Sequence, residues 1–92
     1  MANKDTARYK YAAHAAWRVV DEETIVLDLN TSVYYSLNAT ASLVWKRLGD
    51  GETAPEIAQA LTEAFDVAPE AARADVDELV SEMRKESLLV PA

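Results

Sequence analysis

The 92-residue chain has no cysteine, half of it is hydrophobic, and its formal net charge is −7. This length suits one domain with a single core. The missing thiols exclude disulfides, thiolate ligands and a cysteine nucleophile, and no apolar run approaches the roughly 20 residues of a membrane span.

Residues 1–13 have few large apolar side chains and no clear period, and they read as a flexible N-terminal tail, although Tyr9 and Tyr11 are able to dock. The stretch also lacks an apolar signal segment. With no cysteine in the chain, that gives the expectation of a cytoplasmic protein. Residues 14–92 form the expected domain. AAWRVV (15–20) is a first strand and DEET (21–24) a charged turn. IVLDL (25–29) and VYYSL (33–37) alternate as two further strands around the turn NTS. A three-residue loop pairs Leu29 with Val33, Leu27 with Tyr35 and Ile25 with Leu37, which puts six apolar residues on one face. Tyr34 then falls on the other face with Val26 and Asp28.

Three helices follow. Asn38 is a good N-cap for a helix over 39–48, whose stripe is Ala41, Val44, Trp45 and Leu48. The sequence GDG stops it. Thr53 and Glu56 stand at capping-box spacing for a second helix that reaches about residue 65. Pro69 suits the first turn of a third helix over 69–86, with Ala72, Val76, Leu79, Val80 and Met83 inward. The apolar LLV (88–90) is expected to fold back on the core. Three strands followed by three helices make an α+β domain, and the short link between the last two helices allows a helix-turn-helix.

Little in the chain points to catalysis. His14 is the sole histidine, and structural zinc wants four ligands. Two glycines do not make a phosphate loop, and no serine has a local base motif. No cofactor, metal or catalytic residue is therefore expected. Residues 1–49 hold six Lys/Arg and five Asp/Glu, whereas residues 50–92 hold three and eleven. Such a surface repels nucleic-acid phosphates and favours basic partners.

The stretch VLDLNTSVYYSLNATASLVWKRLGDGET resembles the PqqD-like family, in which a strand–turn–strand ends in Leu-Asn, followed by Thr-Ala, a Trp and an Asp-Gly turn. Here these are Leu37-Asn38, Thr40-Ala41, Trp45 and Asp50-Gly51. ADVDELVSEMRKESLL (74–89) resembles the family's closing helix, with Asp75-Val76 and Leu88-Leu89 matching and Ser87 in place of the usual glycine. The Asn30-Thr31-Ser32 turn also lacks a frequent glycine. The resemblance covers residues 17–90. It implies a winged helix-turn-helix that recognises the leader of a ribosomally made precursor peptide, as RiPP recognition elements do. It further implies that the leader is handed to a leader peptidase or other maturation enzyme. Two freestanding groups are similar: the peptide chaperone of pyrroloquinoline quinone synthesis and, more closely, the leader-binding half of split lasso-peptide maturation systems.

The family's mode is strand addition at an open sheet edge. VYYSL carries no proline, charge or bulge glycine to defend such an edge. Main-chain groups of Ser32, Val33, Tyr34, Tyr35, Ser36 and Leu37 would meet the leader. Val33 and Tyr35 would line the strand wall of a groove, and Val76, Leu79, Val80 and Met83 the helix wall. Asp75, Glu78 and Glu82 would flank it and meet a basic leader residue. The alternative is an acidic winged-helix transcription regulator or nucleic-acid binder, which the charge disfavours. A monomer is expected, although an open edge also permits strand-exchanged dimers.

Overall fold

The computed structural model describes residues 5–92; the part of the expected tail at 1–4 lies outside the described residues. The chain runs β1 (Tyr9–Tyr11), β2 (Ala15–Val20), β3 (Glu23–Asp28), β4 (Tyr34–Leu37), α1 (Ala39–Gly49), α2 (Ala54–Ala64), α3 (Pro69–Lys85) and β5 (Leu89–Pro91). The α+β order of strands followed by three helices is as the sequence suggests. A two-stranded ribbon, β1 with β5, is added to it by residues near the two ends of the chain.

The three-stranded antiparallel sheet has the order β2-β3-β4. Val20 pairs with Glu23 across a two-residue turn in which Asp21 takes a left-handed φ of 58°. Between β3 and β4 the register differs from expectation by one residue: Val26 faces Tyr35, Thr24 faces Leu37 and Leu27 faces Tyr34. Asp28 is the reason. Its main-chain N–H donates to the Val33 carbonyl at 2.9 Å, and its Oδ1 accepts from the N–H groups of Asn30 (2.9 Å) and Thr31 (3.3 Å). The loop therefore holds four residues and closes through Ser32 at φ 63°.

A shift of one residue exchanges the two faces of a strand. Thr24, Val26 and Asp28 are buried, while Leu29, expected inside, is 57% exposed. Tyr34 shares the outer face with Ile25 and Leu27, not with Val26 and Asp28. Ser32, in the turn that lacks a glycine, and Ser87 both have positive φ, a region that costs an L-residue about 1 kcal/mol.

Helix α1 lies between the sheet and the other two helices. Asn38 Oδ1 caps it, accepting from the Ala41 N–H at 2.9 Å. Its buried face is Val44, Trp45 and Leu48, which meet Ile57 and Leu61 of α2, Val76 and Met83 of α3, and Val26 of β3 in one core. The Thr53–Glu56 box starts α2: Glu56 Oε1 accepts from the Thr53 N–H at 2.8 Å and from its hydroxyl at 2.9 Å.

The ribbon closes on α1. Tyr11 stacks on Trp45 with ring centroids 4.4 Å apart and donates its hydroxyl to the Trp45 carbonyl at 2.6 Å. Burial, and then the charge of Asp50, raise the pKa of that hydroxyl. Gly49 makes the approach possible, since a Cβ there would collide with the Tyr11 ring. Leu88 and Leu89 are buried, so the closing apolar segment folds back as its composition suggests.

Candidate functional site: a groove beside an open strand edge

In an antiparallel ladder the residues of a strand alternate in which side their main-chain groups face. Because Val33 is bonded to Asp28 of β3, Val33, Tyr35 and Leu37 face β3. Tyr34 and Ser36 turn their N–H and C=O groups to the outer edge. No described strand pairs with that edge. Four main-chain groups are thus presented in a row beside one side of the molecule.

Next to the edge runs a groove of about 420 Å³. Tyr35, Ser36 and Leu37 form its strand side, and Asp75, Glu78, Leu79, Glu82 and Met83 its α3 side. The N-terminal half of α1 supplies a floor of Ala41 and Val44, with Asn38 and Thr40 at one end. Leu79 is 7% exposed and Met83 1%, so both show only a narrow surface to the groove while packing in the core. Asp75, Glu78 and Glu82 are exposed along the rim.

Near the C-terminal end of α3 the Tyr35 hydroxyl is within the influence of Glu86. Its pKa is raised first by burial, then by Glu86 and by the charges of Asp28 and Glu82. Among the described residues, no group of three or more His, Asp or Glu is arranged to hold a metal ion, and no helix is long and apolar enough to cross a membrane.

Eight of the expected site residues meet in this groove: Tyr35, Ser36, Leu37, Asp75, Glu78, Leu79, Glu82 and Met83. Five do not line it. Val76 is wholly buried beneath α3. Val80 is one residue on from Leu79, about 100° around the helix, and lines a second groove with Tyr9, Arg84 and Lys85. Ser32 stands in the loop and Val33 (48% exposed) immediately before β4, and Tyr34 (69% exposed) is on the outer face. Tyr34 therefore bears on the edge through its main chain. The floor residues Ala41 and Val44 were visible in the sequence only as a helix stripe; the nearness of α1 to the open edge depends on how tightly Asn38 turns the chain.

A family model described as coenzyme PQQ synthesis protein D (PqqD) matches residues 23–89. Among solved structures, the chain is similar to TbiB1 in complex with the TbiA(beta) leader peptide, at 25% identity and a TM-score of 0.79, over 87% of this chain and 93% of that one. It is also similar to lasso peptide synthetase B1 complexed with the leader peptide, at 28% identity and a TM-score of 0.83, over 92% of this chain and 100% of that one. No curated protein sequence matches it.

Proposed function

The chain belongs to the PqqD family, and we propose that it binds the leader of a ribosomally made precursor, a lasso-peptide precursor above all, and presents it to a partner leader peptidase or other maturation enzyme. The observation that carries this reading is the unpaired edge of β4 beside a groove with an apolar floor. An extended peptide pairs with the main-chain groups of Tyr34 and Ser36 and sends alternate side chains between β4 and α3. The main-chain bonds are nearly blind to sequence, so the groove supplies the discrimination. Met83 at its base, flexible and polarizable, suits a site that adapts to its occupant. Both similar structures hold a leader peptide, which supports the reading.

The role is binding without catalysis, in the cytoplasm. The groove brings together carboxylates, a tyrosine and small polar groups, but no histidine, and its serine, Ser36, has no base beside it. A nucleic-acid role is disfavoured by the same wall: the third helix turns Asp75, Glu78 and Glu82 outward, where a DNA-reading helix needs cations.

The test is a fluorescence-polarisation titration against the leader encoded beside the gene, with a scrambled leader as control. Saturable binding with a dissociation constant between roughly nanomolar and micromolar, lost on scrambling, is expected. Equal binding of the scrambled peptide, or none by the folded protein, overturns the proposal.

A further inference from the structure

The α3 helix has its charges sorted by face. Asp75, Glu78 and Glu82 line the groove, and no described cation pairs with any of them. The cations of the same helix are held elsewhere. Arg73 is bound to Asp5 and Asp77, and Arg84 lies over the Tyr9 ring at 5.5 Å. Lys85 lines the second groove with Arg84. No described Lys or Arg borders the first groove. An acidic surface that served only solubility would not need this division.

Geometry limits what such a wall can read. A helix rises about 1.5 Å per residue, so Asp75 and Glu82 lie about 10 Å apart along α3. Alternate side chains of an extended peptide are about 6.7 Å apart. One bound strand can therefore set two cations, two residues apart, against the wall. Between them and the core lie Leu79 and Met83, an apolar ledge that suits the methylene stem of a long basic side chain whose charged head stays in water.

Building on the peptide-binding reading above, we infer that the groove selects basic peptides. An apolar anchor sits on Ala41, Val44 and Met83. A Lys or Arg beside it runs its stem over Leu79 and places its head at Glu78 and Glu82, and a second cation two residues along reaches Asp75.

The probe is a displayed library of random dodecapeptides, selected on the wild-type protein and on the double variant Glu78→Lys/Glu82→Lys. Both positions are exposed, so the variant keeps its fold, which circular dichroism checks. The wild type should enrich peptides with Lys or Arg at alternate positions next to an apolar residue, and the variant should enrich Asp or Glu there instead. Peptides selected on the wild type should bind the variant about tenfold more weakly, as expected when two exposed pairs turn from attraction to repulsion, and raised salt should narrow that gap. Enrichment of apolar peptides without charge bias, or a bias that survives the reversal, overturns the inference and leaves peptide binding standing. No enrichment by the folded wild type counts against both.

Discussion

Two neighbouring tyrosines of β4 should respond oppositely to the same substitution. The Tyr34 N–H faces the open edge, and the residue is 69% exposed, so Tyr34→Pro removes a donor that the folded sheet does not use. Proline is tolerated at such edges, and the loss of stability should stay within about 1 kcal/mol. A bound peptide, however, loses one main-chain hydrogen bond worth about 1 kcal/mol and meets the proline ring at the pairing position. Affinity should fall by about fivefold at the least. The Tyr35 N–H instead faces Val26, its partner in β3. Tyr35→Pro leaves a carbonyl of the inner ladder unsatisfied, at a cost of about 1–3 kcal/mol, and it also gives up the packing of the ring against the core. For a domain of this size that lowers Tm by roughly 8–20 °C. Thermal melts by circular dichroism and leader titrations on the two proteins separate the effects. Equal loss of stability at both positions would refute the assignment of the open edge to Tyr34. Unchanged leader affinity for Tyr34→Pro would refute strand addition there.

Three other outcomes are expected. Leu79→Ala should cost about 2–3 kcal/mol of stability and weaken leader binding several-fold, whereas Val80→Ala should leave binding unchanged in the same titration, because Val80 faces the second groove. Asp28→Ala should destabilise by about 1–2 kcal/mol in urea unfolding, since two loop N–H groups lose their acceptor, and Asp28→Asn, which keeps an oxygen there, should recover most of it. Hydrogen bonds from the Thr53 N–H and hydroxyl, and then Arg8, hold the Glu56 carboxyl below its ordinary value of 4.5. A lowered folded-state pKa adds stability that is complete above that ordinary value and is lost as pH falls through the folded-state value. Glu56→Gln should therefore flatten the acid limb of a stability–pH profile below about pH 4.5 and leave its neutral region without slope.

Much of this architecture is legible in the residues. Asn38, the Thr53–Glu56 pair and Pro69 announce their helices, and the spacing of Leu79 and Met83 places both at the groove. The register of β3 is not legible in the same way. Ile25, Val26, Leu27 and Leu29 are all apolar, so either face of the strand suits a core, and the polar Asp28 argues for putting its own face outside. What decides the matter is that the Asp28 carboxylate is satisfied locally by the loop it closes, which removes the penalty for burying it. The β1–β5 ribbon escapes pattern reading for another reason. Strands of three residues carry too little alternation to show a period, and their pairing joins distant parts of the chain. The proposed charge preference is only half visible in sequence: the acidic residues are there to count, but the turning of Arg73, Arg84 and Lys85 away from them needs the folded helix.

The ribbon also sets an order of assembly. Tyr9 pairs with Pro91, so during synthesis the first strand waits until nearly all the described chain has emerged. Closing a loop of that length in an unfolded polymer costs about 4 kcal/mol beyond a constant term. Closing it after α1, α2 and α3 have packed costs little, because the helices have already brought its ends together. The three elements that border the groove, β4, α1 and α3, can meet without the ribbon. Tyr11 then arrives as a late latch over Trp45, and the face of that indole stays open to water until the strands near both ends are in place.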